Sequence, residues 1–147
     1  MVFRAVVGGP LLTDSGAIAP GSTGSDAAPA TTWRVLDAFV GFTLIACETS
    51  MLSEGQIRKD LQSAGMPLVV DDRHGGASHL MLSSFKAGYR KSRRRPEKPL
   101  IERPSAHLAQ IMFRHSTDGR EMAFDIEPPK DFRALLNQLD RYARVPK

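Results

Sequence analysis

The clearest alternation of hydrophobic and polar residues lies near the C-terminus, on both sides of the dipeptide Asp118-Gly119. This dipeptide is typical of a two-residue type I′ turn, and such a turn between two alternating runs indicates a β-hairpin. A turn of that length would sort most apolar residues onto one face of the hairpin and most polar residues onto the other. The predicted apolar pairs are Phe113 with Phe124 and Ile111 with Ile126.

An amphipathic helix is predicted directly after this hairpin. Pro128-Pro129 ends the second strand, and proline is favoured at the first position of a helix. Large apolar residues then recur at helical spacing, with polar residues on the opposite side. We expect this apolar stripe to pack on the apolar face of the hairpin. The stripe consists of Phe132, Leu135, Leu136, Leu139 and Tyr142.

A second helix is predicted from about residue 54 to residue 64. Ser53 and Gln56 have the spacing of a capping box, in which each side chain can bond to a backbone amide of the first turn. At the other end, Gly65 can adopt the left-handed conformation that stops a helix, and Pro67 prevents its continuation.

The segments between these elements are less decisive. Residues 33–51 fit both strand and helix spacing, and their β-branched and aromatic content favours a buried strand. Residues 68–70 and the alternation around Leu80 and Leu82 predict another hairpin. The expected fold class is α+β: a small antiparallel sheet of two hairpins packed against two or three helices.

The composition predicts a flexible N-terminal tail over residues 1–32. Residues 14–32 are almost entirely small or polar and cannot bury enough surface to offset the entropy of ordering them. Residues 1–12 are more apolar, and the sequence does not decide whether they dock. The remainder, residues 33–147, is expected to be one domain with a loop at residues 86–105, where the apolar pattern fades and prolines recur.

Several classes of protein are disfavoured by composition. One cysteine, Cys47, permits no intrachain disulfide and favours a reducing compartment, so we expect a soluble, cytoplasmic protein, with non-classical export left open. No apolar run approaches the ~20 residues of a membrane span. His74 and His79, beside Asp71 and Asp72, match no strong metal-binding spacing. We expect no metal and no cofactor, and the oligomeric state is left open.

Positive charge is clustered in the predicted loop, which we call the basic loop (residues 86–105). The chain has 20 Lys and Arg against 16 Asp and Glu, a net charge of +4. Arginine and lysine on a loop can neutralise phosphates, and a tyrosine can stack on a base. The first expectation is therefore a non-catalytic protein that binds nucleic acid or an acidic protein surface. Its candidate contacts are Lys86, Tyr89, Arg90, Lys91, Arg93, Arg94, Arg95 and Lys98.

Two alternatives remain open at this point. Cys47 is followed by His107 at the head of a strand and by Asp125 on its partner strand. This order resembles that of papain-like cysteine peptidases, including bacterial effector versions. The resemblance implies a hydrolase in which His107 activates the Cys47 thiol and Asp125 orients the histidine. The other alternative is a secreted, effector-type protein-interaction domain whose N-terminal tail is a delivery signal.

Overall fold

One six-stranded antiparallel sheet forms the centre of the molecule in a computed structural model, which describes residues 1–18, 31–49 and 54–146. The strand order is β2-β3-β4-β1-β5-β6, so the prediction of a small sheet made of two hairpins is wrong. Strands and helices are both present. The strands are β1 (Val2–Gly8), β2 (Ser15–Ile18), β3 (Thr31–Phe39), β4 (Phe42–Thr49), β5 (Ala106–Arg114) and β6 (Glu121–Asp125), and the helices are α1 (Glu54–Ser63) and α2 (Lys130–Tyr142).

The N-terminal segment is a central strand. β1 lies between β4 and β5 and pairs antiparallel with both. The predicted flexible tail is therefore wrong for residues 1–18, which form β1 and β2, while residues 19–30 lie outside the described residues. The apolar run Ala5, Val6 and Val7 is fully buried. A strand covered on both faces is continuously apolar, so it lacks the alternation by which a strand is recognised in a sequence.

Residues 33–51 contain two strands instead of one. The strand prediction is confirmed, but the segment turns at Val40 and Gly41 to form the hairpin β3–β4. Gly41 has a φ of 83°, a left-handed conformation that favours glycine. The alternation of apolar residues continues through this turn, so the turn could not be recognised from the sequence.

The sheet carries one apolar core on each face, because successive strand residues point to opposite sides. The core on the α1 side includes Phe3, Ala5, Val7, Ile45, Cys47, Ile57 and Leu61. The core on the α2 side includes Val6, Phe39, Leu44, Val70, Leu80, Ile101, Phe132, Leu135 and Leu139.

Helix α2 buries the predicted stripe but not against the predicted surface. Phe132, Leu135 and Leu139 are fully buried, as expected. They pack on the middle of the sheet, around Val6 and Leu44, and not on the outer part of the hairpin β5–β6. The strand β1 was missing from the predicted sheet, so the surface that α2 actually covers could not be anticipated.

The hairpin β5–β6 is confirmed, with a register two residues from the predicted one. Phe113 lies opposite Met122, and Ile111 lies opposite Phe124. The loop has four residues, 116–119, closed by a hydrogen bond of 2.8 Å from the backbone N–H of His115 to the carbonyl oxygen of Arg120. Because a shift of two residues leaves each side chain on its original face, the predicted faces are retained.

The second predicted hairpin, around residues 68–82, is wrong. Leu80 pairs with Ile101, Val70 forms a parallel bridge with Ala77, and a short 3-10 helix begins at Leu82. Leu80 and Ile101 are buried in the core on the α2 side. This region is irregular in its backbone and is held by side chains that enter the core.

Helix α1 ends as the sequence predicts. The Met66 N–H donates a hydrogen bond of 2.8 Å to the carbonyl oxygen of Leu61, and the Gly65 N–H donates one of 3.0 Å to that of Gln62. Gly65 has a φ of 77°. These two bonds form a Schellman motif, which satisfies the last carbonyl groups of the helix. Ser53 of the predicted capping box lies outside the described residues.

Replacing Gly76 with Ala is expected to destabilise the protein by about 1–3 kcal/mol, because the added methyl group has no space. A Cβ at Gly76 would lie 2.3 Å from the carbonyl oxygen of Leu68 and 2.7 Å from the backbone nitrogen of Asp71. Gly8→Ala is the matched control, since a Cβ there meets nothing within 4 Å. Urea denaturation of the two variants tests the packing of residues 68–76, and equal stabilities would contradict it.

Candidate nucleic-acid interface

The basic loop is closed at its base by backbone hydrogen bonds. The Leu80 N–H donates to the carbonyl oxygen of Ile101 over 3.0 Å, and the Leu100 N–H donates to that of Leu80 over 2.8 Å. Ile101 is 1% exposed and anchors this end of the loop in the core on the α2 side. The loop is therefore attached to the sheet near the end of its cationic stretch.

The carboxylate of Glu97 forms a second attachment. Its Oε1 accepts a hydrogen bond of 2.9 Å from the backbone N–H of Ser83. This bond, helped by the positive charge of Lys91, holds the pKa of Glu97 below its usual value. The single acidic residue among residues 86–98 thus connects the loop to the short 3-10 helix that begins at Leu82.

Lys86 attaches the loop to helix α2. Its Nζ lies 4.7 Å from the ring centroid of Tyr142 and 5.9 Å from that of Tyr89, both within the range of cation–π attraction. Hydrogen bonding to Lys86, with a smaller contribution from Arg141, lowers the pKa of Tyr142. Lys86 and Tyr89, two of the predicted contacts, are half-buried and hold the loop in place.

The other six predicted contacts are exposed on the outside of the loop. Residues 86–98 hold seven of the 20 Lys and Arg residues and one of the 16 Asp and Glu residues. The rest of the chain therefore has 13 basic and 15 acidic residues, a net charge of −2. The excess positive charge lies in this loop. Its exposed cations are Arg90, Lys91, Arg93, Arg94, Arg95 and Lys98.

Two further arginines, which the sequence analysis did not identify, lie on the α2 side of the sheet, in a part that leaves them exposed. The register places Arg34 of β3 and Arg4 of β1 on either side of Ala46 of β4, and both arginines are exposed. Glu48 and Asp125 line the same region, so its charge is mixed. Only the strand register brings these arginines together, and β1 was not expected to be a strand.

The cysteine-peptidase alternative is wrong. Cys47 lies opposite Phe3 and points into the core on the α1 side. His107 lies on the other face of the sheet, where its ring centroid is 5.5 Å from that of Phe132 in α2. The sheet separates the two side chains. Asp125 instead accepts a hydrogen bond of 2.9 Å from the side chain of Gln110.

Cys47 is expected to resist iodoacetamide in the folded protein. Burial, with a smaller contribution from Asp60, raises the pKa of its thiol to about 12, so very little thiolate forms at pH 8. Mass spectrometry should detect the label only after denaturation. Labelling of the native protein at the rate of a free thiol would contradict the buried position, and the variant His107→Ala should label no faster than the parent.

Asp71 and His79, two of the residues considered as metal ligands, have other contacts. Asp71 accepts two hydrogen bonds from the guanidinium of Arg58, and the Nδ1 of His79 lies 2.9 Å from the hydroxyl of Ser78. In the described part of the chain, no three His, Cys, Asp or Glu side chains are grouped as metal ligands would be.

No described helix is long and apolar enough to cross a membrane.

The chain is similar to curated proteins that are named as pseudouridine synthases. No protein-family model matches the chain. It is 28% identical over 124 residues to RNA pseudouridine synthase 2, chloroplastic, of Oryza sativa subsp. japonica, an alignment that covers 75% of this chain and 26% of the rice protein. It is 26% identical over 112 residues to ribosomal large subunit pseudouridine synthase D of Zymomonas mobilis subsp. mobilis, covering 74% of this chain and 31% of the bacterial protein.

A solved structure has a similar fold. Human RNA pseudouridylate synthase domain containing 4 superposes with a TM-score of 0.59 at 14% identity, covering 99% of this chain and 63% of the human one. The two share a fold. The chain spans only about a quarter to a third of the curated relatives it matches. Those relatives bear the names of enzymes, so the expectation of a non-catalytic protein finds no support among them.

Proposed function

We propose that this chain is an RNA-contacting domain with the fold of a pseudouridine synthase, and that the basic loop is its principal contact with RNA. The observation that supports this most strongly is the distribution of charge. Six exposed cations lie on one anchored loop, and the rest of the chain carries a net charge of −2. An RNA backbone attracted to this protein would meet its positive potential there.

The anchors of the loop favour binding. Ordering a free loop of this length around a ligand would cost conformational entropy for every residue fixed. Here the base of the loop, Glu97 and Lys86 are already held by the fold. Phosphate contacts can therefore form with a smaller loss of entropy, as in other preorganised interfaces.

RNA is favoured over an acidic protein surface, the other partner that the sequence suggested. The names of the similar proteins are those of enzymes that act on RNA. Arginine also matches the geometry of phosphate groups, because its planar guanidinium can donate two parallel hydrogen bonds. Four of the six exposed cations are arginines.

The proposal is tested by fluorescence anisotropy of a labelled RNA over a series of salt concentrations. The association constant should fall log-linearly with salt, with a slope of about −4 if all six cations contact phosphates of a single strand. A poly-glutamate competitor distinguishes the two kinds of partner, since it should displace RNA weakly. Absence of RNA binding at low salt, or binding of poly-glutamate in preference to RNA, would contradict the proposal.

Pseudouridine synthesis in RNA is a second candidate function, and it is favoured by the names of the curated relatives. It is tested by incubating the protein with transcribed RNA, digesting the RNA to nucleosides and separating them by chromatography. Pseudouridine above the level of a protein-free control would support catalysis by this chain. RNA binding without pseudouridine formation would restrict the function to contact with RNA.

A further inference from the structure

The outer part of the hairpin β5–β6 exposes two phenylalanine rings. Phe113 is 46% exposed and Phe124 is 50% exposed. Their ring centroids are 5.6 Å apart and their planes differ by 16°, so they form a nearly parallel pair. Leaving this much aromatic surface in water costs free energy that burial in a core would recover.

The two rings share their face of the hairpin with cationic or ionisable groups near the turn. The register puts Phe113 and His115 of one strand on the same side as Phe124 and Arg120 of the other. The Arg120 side chain is 69% exposed, and its Nε lies 3.6 Å from the Asp118 carboxylate. A flat aromatic surface therefore lies beside a guanidinium that can reach outward.

We propose that Phe113 and Phe124 form a stacking platform for an unpaired base of RNA, with Arg120 contacting the adjoining phosphate. This inference rests on the RNA-contacting function proposed above. Exposed aromatic side chains on a sheet bind bases because every base has a π-face to stack on, and nearby arginines contact the backbone.

The size of the patch favours a base over a second protein. A phenylalanine contributes roughly 150–250 Å² when fully buried, so two half-exposed rings offer about 200 Å². Ile126, 39% exposed, extends the patch only slightly. A stable protein interface buries about 800 Å² on each partner. The patch is several times smaller than that, but comparable with the face of one or two bases.

The platform supplies an exposed aromatic surface, which the basic loop lacks. Within residues 86–98 the one aromatic residue is Tyr89, which is half-buried beside Lys86. The loop can contact phosphates of paired or unpaired RNA alike, whereas the two phenylalanines require a base that has left its helix. The protein should therefore prefer RNA in which a duplex adjoins an unpaired segment.

The experiment compares the affinity of the full chain for a stem-loop RNA and for a blunt duplex with the same stem. The parent protein should bind the stem-loop about 5- to 150-fold more tightly, the range expected for stacking of one base. The double variant Phe113→Leu/Phe124→Leu should lose this preference and keep its affinity for the duplex. Met112→Leu, on the opposite face of the hairpin, is the matched control and should keep the preference.

Melting temperatures establish that each variant is folded. Phe124→Tyr gives a second test, because a tyrosine ring also stacks on a base and this variant should keep the preference for the stem-loop. A double variant that retains the stem-loop preference would overturn the platform. So would a parent protein that dimerises in sedimentation experiments through these phenylalanines. Binding of both RNAs with equal affinity would contradict the platform alone, whereas absence of binding to either would contradict the proposed function itself.

Discussion

Replacing Arg58 with Ala is expected to lower the free energy of unfolding by about 3–5 kcal/mol, because it removes the guanidinium that neutralises a buried carboxylate. The guanidinium of Arg58 donates two hydrogen bonds to Asp71, from Nε to Oδ2 over 2.7 Å and from Nη2 to Oδ1 over 2.6 Å. The side chain of Asp71 is 0% exposed, and that of Arg58 is 18% exposed. Urea denaturation monitored by circular dichroism measures the loss.

The pair formed by Arg103 and Asp131 is the matched control. It has the same two-bond geometry, with both distances at 2.7 Å, but its side chains are 39% and 35% exposed. Water can solvate either partner after the other is removed, so Arg103→Ala should cost only about 1 kcal/mol. Equal losses for the two arginine variants would show that burial does not set the contribution of these ion pairs.

The ion pair of Arg58 and Asp71 also predicts that the stability of the protein depends on pH. Burial acts to raise the pKa of Asp71, but the hydrogen bonds and charge of Arg58 outweigh it and lower this pKa below the usual value. A carboxyl group whose folded-state pKa is lowered stabilises the protein above its unfolded pKa, which is about 4, and this contribution is lost as pH falls through the folded pKa. The difference in stability between the parent and Arg58→Ala should shrink in acid. A difference that stays constant down to pH 2 would contradict this linkage.

Changing Arg93, Arg94 and Arg95 together to Ser is expected to weaken RNA binding by at least 100-fold at low salt. The salt slope should become shallower by about 2 units, since each phosphate contact with a single strand contributes roughly 0.7. The three side chains are exposed and outside both cores, so the melting temperature should not change. Anisotropy titrations of parent and variant measure both effects.

The control for the triple arginine variant removes a positive charge from outside the basic loop. Arg133→Ser removes an exposed arginine from helix α2 and should alter RNA affinity only slightly. If the triple variant binds RNA as tightly as the parent, the loop is only a solvated surface. If both variants weaken binding in proportion to the charge removed, RNA responds to net charge and has no particular site on the loop.

Elements defined by local signals could be predicted from the sequence. The end of α1 depends on Gly65 and Pro67. The apolar stripe of α2 consists of residues that are only a few positions apart in the chain. These signals act over short distances in the chain, so they are visible without knowledge of the partner surface. The hairpin β5–β6 belongs to the same group, although the four-residue loop shifted its register by two.

Elements defined by distant partners could not be predicted. β1 is a strand because β4 and β5 pair with its two edges and a core covers each of its faces. The short apolar run of β1 gives no local signal of these pairings. The candidate site divides in the same way. The cationic stretch of the loop is visible in the sequence as a local feature of composition. Strand register, which the sequence did not reveal, brings together the rings of Phe113 and Phe124 and places Arg4 and Arg34 on either side of Ala46.

The central position of β1 also determines when the fold can be completed. The backbone of Val6 bonds to Ser105, 99 residues later, through its carbonyl oxygen, which accepts from the Ser105 hydroxyl over 2.9 Å. β1 leaves the ribosome well before β5, so one of its edges stays unpaired while about a hundred further residues are added. High contact order of this kind slows folding and leaves an apolar strand edge open to aggregation. The strand order therefore delays completion of the sheet until β5 has been synthesised.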